Sequence, residues 1–162
     1  MNDIINEQQK IIRNFIKKMK DEIGNCPTEI KTKAICGFTW KLTTDEKSTF
    51  ILTQHINHIV ISVYTTTFLE KNKNDLLILC NALNGFSFCG DLTIGDNNIV
   101  LKNTNFYKLN TFSIEEIAYL IDKVFDWFTL YVVSGAYYFD EKMSVDEAVK
   151  KAITSLKKNK LN

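Results

Sequence analysis

The two histidines of this chain, His55 and His58, lie three residues apart in a segment that has the composition of a hairpin turn. Two imidazoles at this spacing would supply half of the ligands of a tetrahedral metal site. The adjacent residues contain no Asp, Glu or Cys to complete the coordination shell, and nothing in the sequence points to a group that would orient either ring as a general base. A polar turn is therefore the favoured interpretation, and a metal or small-ligand site at this pair is the alternative.

The four cysteines, Cys26, Cys36, Cys80 and Cys89, are widely spaced and include no Cys-x-x-Cys pair, which argues against a zinc site. Cys80 and Cys89 stand among leucines and phenylalanines, where a thiol has a raised pKa and packs as a small hydrophobic side chain. Free thiols are typical of a reducing compartment. We therefore expect no metal, no cofactor and a cytoplasmic location.

Gly85 and Gly90 are spaced like the first glycines of a phosphate-binding loop. Asp91 and Leu92 occupy the positions where such a loop needs Lys and Ser or Thr, so a bound phosphate would meet a carboxylate. Gly90 is better explained by a bulge or by a close approach of two backbones. The acidic pairs of the chain fall at predicted helix ends or in loops. The sequence thus offers no catalytic residue and predicts a protein that is not an enzyme.

The composition is that of one globular domain, with 162 residues, 45% of them hydrophobic and 24% charged. The net charge is +1 and Arg13 is the only arginine. The chain therefore has neither the positive electrostatic field nor the set of arginines, with their bidentate hydrogen bonds to phosphate, that is typical of nucleic-acid binding. Its first residues do not resemble a signal peptide, and no apolar run approaches the ~20 residues that span a bilayer. We expect a single domain over residues 1–162 with no nucleic-acid or membrane partner.

Hydrophobic periodicity predicts the element order αβββαββαα. Alternation from Glu29 to Leu42 indicates a strand, and later segments indicate four more. We expect a five-stranded, largely antiparallel sheet with helices packed on one face. This is an α+β fold with a core of about residues 1–134, to which a capping box at Ser144 adds a C-terminal helix over about residues 144–158.

The second predicted helix, residues 72–84, has five apolar side chains that we expect to face inward: Leu76, Leu77, Leu79, Cys80 and Leu83. The third begins at a capping box formed by Ser113 and Glu116 and runs to about Val133. We expect it to end at Ser134-Gly135, because glycine accepts the backbone conformation of a helix C-cap.

The third helix is apolar nearly all round, and such a helix needs a second partner besides the sheet. The chain itself can cover this second side, either with the last helix or with residues 137–139 folding back. Alternatively, a separate protein packs on this side, since aromatic side chains concentrate binding energy at interfaces. The candidate protein-binding residues are Phe125, Trp127, Phe128 and Tyr131. If Trp127 belongs to that surface, Trp127→Ala weakens assembly and leaves the fold intact; if the variant unfolds, Trp127 belongs to the core.

Residues 79–85, Leu-Cys-Asn-Ala-Leu-Asn-Gly, precede a phenylalanine-bearing strand that ends at Gly95. Together with Leu101 and the capping box at Ser113, this ordered set resembles the YbjN family of bacterial proteins over about residues 70–133. The resemblance implies a fold similar to that of type III secretion chaperones. It also implies a non-enzymatic role, described for the family as sensory-transduction or stress regulation, and frequent dimerisation.

Asn81 and Asn84, with Gly85, occupy positions where a helix end needs polar side chains, so we interpret them as a structural cap. Two features depart from the family pattern. The chain is close to neutral, whereas secretion chaperones tend to be acidic. The C-terminal helix extends beyond the chaperone core and would cover the face used for pairing.

The sequence therefore predicts a protein-binding or regulatory domain that acts through an apolar helix face or an unpaired sheet edge. The partner is another protein or a second copy of the chain, as in a homodimer. Two alternatives stay open. One is a small-ligand or metal-binding protein that uses His55 and His58, and the other is a chaperone of a secreted effector.

Overall fold

An antiparallel sheet forms one layer of the protein, as seen in a computed structural model that describes residues 2–23, 28–42, 45–86, 90–106 and 113–159. Its strands are β1 Thr28–Glu29, β2 Cys36–Leu42, β3 Asp45–Gln54, β4 His58–Thr65, β5 Asp91–Ile94 and β6 Ile99–Phe106. Their spatial order is β1-β2-β3-β4-β6-β5, and every neighbouring pair is antiparallel.

In the described parts of the chain, four α-helices accompany the sheet: α1 Asn2–Ile23, α2 Lys73–Phe86, α3 Ile114–Gly135 and α4 Val145–Asn159. The predicted capping box is present at the start of α3, where the Ser113 hydroxyl accepts from the Glu116 N–H and the Glu116 carboxylate accepts from the Ser113 N–H. Ser144 and Glu147 make the same exchange at the start of α4. The helices and the antiparallel sheet confirm the α+β class.

Among the described residues the sheet has six strands instead of the expected five, because the segment from Glu29 to Leu42 is not one continuous strand. β1 folds back on Phe38 and Thr39 as a short edge strand. The Ile30 N–H donates to the Gly37 carbonyl at 2.9 Å beside this pairing. Alternation alone does not distinguish one straight strand from two strands joined by a turn, so the predicted strand count was wrong.

Side chains along each strand point alternately to the two faces of the sheet, one of which is buried and the other more exposed. On β3, Phe50 and Leu52 are fully buried, and their partners across β4 are Val63 and Ile61. Leu101 of β6 continues the row through Val63. The opposite face carries β-branched side chains of intermediate exposure, among them Thr49, Ile51, Thr53, Val60 and Val100. The hydrophobic core therefore lies between the buried face and the helices.

α3 ends as an α-helix at Gly135, where we expected it to end, but for a different reason. Gly135 has φ −62°, an ordinary helical value, and the chain continues into a π-helical turn, Ala136–Asp140. A Cβ atom on Gly135 would overlap the ring of Phe68. Glycine is thus required at this position for close packing and not for a C-cap conformation.

Phe68 lies in the connection between β4 and α2 and has the left-handed backbone conformation, with φ 66°. This conformation costs a residue with a Cβ atom about 1–2 kcal/mol, so the surrounding packing must hold it. The Phe68 ring packs on Gly135 and meets Tyr131 edge-on, with ring centroids 5.8 Å apart. The Tyr131 hydroxyl donates to the Thr67 carbonyl at 2.7 Å. These contacts attach the β4–α2 connection to α3.

Gly90 allows a close approach of two backbones, which confirms its interpretation from the sequence. It has φ 144°, and a Cβ atom there would overlap the Lys102 carbonyl of β6. Glycine is therefore required where the chain enters β5.

Gly135→Ala is expected to lower the free energy of unfolding by about 1–3 kcal/mol, because the added methyl group overpacks the contact with Phe68. Gly85→Ala is the matched control, since Gly85 also lies in a helix but has open space where the Cβ atom would be. The control is expected to be neutral or to stabilise by up to about 1 kcal/mol. Urea denaturation measures both values, and equal effects of the two substitutions would contradict the packing at Gly135.

Candidate functional site

The apolar third helix, α3, is covered in large part by the chain itself, since α4 and the π-helical turn pack on it. Three of the four candidate protein-binding residues are buried in the core: Trp127, which is 5% exposed, Phe128 and Tyr131. Phe125 is 44% exposed and stacks on the buried ring of Phe50, with centroids 6.2 Å apart. Of the four candidates, Phe125 alone presents a large exposed apolar surface.

α2 has an exposed apolar side that the sequence analysis missed. Its buried side chains follow the i, i+3, i+4, i+7 spacing of one helical stripe: Leu76, Leu79, Cys80 and Leu83. Leu77, which we expected to face inward, is 40% exposed and lies off that stripe, so this expectation was wrong. Strict use of the helical spacing would have placed both Leu77 and Ile78 outward.

The exposed side of α2, here named the α2 face, consists of Leu77, Ile78, Asn81, Gly85 and Phe86. Leu77, Asn81 and Gly85 form one i, i+4 row, and Ile78 and Phe86 belong to the adjacent row with half-buried Ala82 between them. Ile78 and Phe86 are 47% and 48% exposed. The sequence has no charged residue from Leu76 to Phe86. Depletion of charge around exposed apolar side chains is typical of the centre of a protein–protein interface.

Asn84 joins the end of α2 to the edge strand β5. Its side-chain NH₂ donates to the Leu92 carbonyl at 2.9 Å, and its side-chain oxygen accepts from the Leu92 N–H at 2.8 Å. Asn84 therefore has a structural partner, although this partner lies in β5 and not at the helix end where we expected it. Asn81 and Gly85, the other members of the predicted cap, lie exposed on the α2 face.

The bonds from Asn84 weaken the case for a partner that docks on a sheet edge. β5 has four residues, and both backbone groups of Leu92 are bonded to Asn84. β1, at the other edge, has two residues. Edge strands this short offer few backbone groups to an added strand, so the α2 face is the better candidate for docking.

His55 and His58 come together at the hairpin between β3 and β4. Their rings stack with centroids 4.3 Å apart and an angle of 6° between the planes. Nitrogen lone pairs of stacked imidazoles lie in parallel planes and do not converge on one ion. Among the described residues, no group of three or more His, Cys, Asp and Glu side chains could hold a metal. The pKa of His58 is lowered, first by partial burial and then by electrostatic interaction with His55 and Lys102, which favours the neutral form of His58.

The two cysteines in the described part of the chain, Cys36 and Cys80, are buried. The Cys36 thiol donates to the side-chain oxygen of Gln54 at 3.1 Å. Burial raises the pKa of both thiols to about 11, so neither is an activated nucleophile at neutral pH. Cys26 and Cys89 lie outside the described residues.

A pocket of about 240 Å³ opens beside the π-helical turn. This pocket, here named the π-turn pocket, is lined by Asp75, Tyr138, Phe139, Lys142 and Met143. The pKa of Tyr138 is raised, first by burial and then by the negative charge of the Asp75 carboxylate. The pocket thus combines an acidic, a phenolic, a basic and two apolar side chains.

Comparison with protein-family models, with curated proteins and with solved structures finds no match to this chain. None of the helices in the described ranges is long and apolar enough to cross a membrane. A functional assignment has to rest on the residues and geometry of the protein itself.

Trp127→Ala is expected to lower the free energy of unfolding by about 3–5 kcal/mol, because it removes a buried indole and leaves a cavity. Phe125→Ala, from the same helix, is the matched control and is expected to cost less than half as much, since much of that ring is exposed. Chemical denaturation followed by circular dichroism gives both values. A Trp127→Ala variant as stable as the wild type would refute the burial of Trp127.

Proposed function

We propose that this chain is a non-enzymatic, protein-binding domain with a regulatory role, and that its partner docks on the α2 face. The observation that supports the proposal is the exposure of Leu77, Ile78 and Phe86 on one uncharged side of a helix. An exposed aromatic ring among aliphatic neighbours is the kind of cluster in which binding energy concentrates.

The α2 face has the shape of a helix-binding surface. Its two rows of side chains run along the helix at i, i+4 spacing, and such rows interdigitate with the corresponding rows of a second helix. Ala82 and Gly85 are small, and a Cβ atom on Gly85 would meet open space. A partner side chain can therefore enter between Ile78 and Phe86. We infer a partner that presents one face of an amphipathic helix.

Charge restricts which side of the partner helix docks. The segment from Leu76 to Phe86 carries no charge, so an ionised group pressed against it would lose water without gaining a counter-ion. Lys73 is exposed one turn before Leu77 and is positioned to pair with an acidic residue at one end of the docked helix. The partner helix is thus uncharged on its docked side and acidic at one end.

The dimensions of α2 limit the strength of the complex. Its 14 residues extend about 21 Å at 1.5 Å per residue. A strip about 10 Å wide along this length buries about 200 Å², well below the ~800 Å² per partner of a standard stable interface. A complex that uses the α2 face alone is therefore weak and reversible, which suits a regulatory contact better than a permanent subunit interface.

The finer assignments suggested by the sequence belong to the same proposal: a YbjN-like domain, similar to type III secretion chaperones, in the cytoplasm. Residues 79–85, which carry the family resemblance, lie in α2 and include Asn81 and Gly85 of the α2 face. The buried, protonated thiols of Cys36 and Cys80 suit a reducing compartment.

The proposal is tested by replacing Leu77 and Ile78 together with lysine. Lysine has good helix propensity, so we expect the double variant to fold. Its affinity for the partner should fall at least about tenfold, because two charges enter an uncharged contact. Tyr119→Lys is the matched control, since Tyr119 is also exposed on a helix but lies in α3. Tagged proteins capture partners from the native host, and each captured protein is then purified and titrated by calorimetry.

A partner that binds the wild type and Tyr119→Lys but not the double variant supports the proposal. A partner that binds all three proteins equally contradicts docking on the α2 face. Light scattering of the purified proteins tests whether a second copy of the chain binds to the α2 face. If the wild type is a dimer and only the double variant is a monomer, the occupant of the α2 face is a second copy of the chain and not a separate partner. Binding of an extended polypeptide to the same face would instead indicate a chaperone of a secreted effector.

A further inference from the structure

Two unusual backbone conformations border the π-turn pocket. The π-helical turn supplies Tyr138 and Phe139, and the chain then places Lys142 in the left-handed conformation, with φ 58°. The left-handed conformation destabilises a residue with a Cβ atom, and π-helical turns occur frequently at functional sites. Helices commonly end in a left-handed residue, and Lys142 directly follows the cap residue Glu141. The π-helical turn itself is therefore the feature that marks this pocket as a candidate site.

The π-turn pocket presents one negative and one positive side chain. Asp75 reaches it from the first turn of α2, and Lys142 lines it from the chain that follows the π-helical turn. The neighbouring carboxylates of Asp140 and Glu141 are in ion pairs with lysines, at 3.5 Å and 2.7 Å. Asp75 and Lys142 are the charged side chains among the residues that line the pocket.

Volume and apolar lining restrict the size of that ligand. The pocket holds about 240 Å³, less than the ~300–1,000 Å³ of pockets that enclose drug-sized molecules. Phe139 is almost fully buried and forms an aromatic wall, and Met143 adds a flexible thioether. The space suits a molecule with two charged groups and a small apolar body.

We propose that the π-turn pocket binds a small zwitterion of amino-acid size, with its ammonium group at Asp75, its carboxylate at Lys142 and its side chain against Phe139 and Met143. The two charges of such a ligand match those of the pocket. A cation or an anion of the same size would pair with one of these side chains and be repelled by the other. This assignment is independent of the protein-binding role of the α2 face.

The first test compares probes that share one apolar body: L-leucine, a zwitterion; L-leucinamide, a cation; and 4-methylpentanoate, an anion. Each is titrated into ¹⁵N-labelled protein at constant ionic strength while the amide signals of residues 138–143 are followed by NMR. We expect L-leucine to shift these signals saturably and to bind at least about tenfold more tightly than either of the other probes.

The second test uses variants of the two ionic groups. Asp75→Asn and Lys142→Gln are each expected to weaken L-leucine binding at least about tenfold. Lys158→Gln, which changes an exposed lysine outside the pocket lining, should leave binding unchanged. Lys142→Gly removes the charge together with the Cβ atom that disfavours the left-handed conformation, so we expect its Tm to rise by about 2–4 °C while L-leucine binding weakens at least about tenfold.

The proposal is overturned if L-leucine produces no saturable shifts, or if the three probes bind equally. It is also overturned if Asp75→Asn and Lys142→Gln bind L-leucine as tightly as the wild type does.

Discussion

The contact between Phe68 and Gly135 attaches the β4–α2 connection to α3. Phe68 adopts a left-handed backbone conformation that its own Cβ atom disfavours, and its ring fills the space that a side chain at position 135 would occupy. Tyr131 reinforces the contact through its hydrogen bond to the Thr67 carbonyl. Because Phe68 lies between β4 and α2, this contact fixes both elements relative to α3.

α2 is attached near both ends, and its uncharged side faces solvent as a result. The Phe68 connection positions its start, and the two hydrogen bonds between Asn84 and Leu92 fix its end on β5. Its inner leucines face the core, so a rotation that buried Leu77 and Ile78 would expose them. The α2 face is therefore exposed because the opposite side of α2 is buried in the core.

Features with short-range causes were predictable from the sequence, and features with long-range causes were not. The capping box at Ser113 satisfies backbone donors within one helical turn, so local residues determine it. β1 exists only through pairing with β2, which periodicity does not encode. The apolar excess of α3 was visible in the sequence, but the burial of Trp127 depends on tertiary packing. The need for glycine at position 135 depends on Phe68, far earlier in the chain.

A double-mutant cycle on Phe68 and Gly135 tests this account most directly, with the free energy of unfolding measured for the wild type, Phe68→Ala, Gly135→Ala and the double variant. We expect Gly135→Ala to lose its destabilising effect in the Phe68→Ala background, because the methyl group then occupies space that the ring has left. The resulting coupling energy should be about 1–3 kcal/mol. Effects of the two substitutions that add to within about 0.5 kcal/mol would contradict the account.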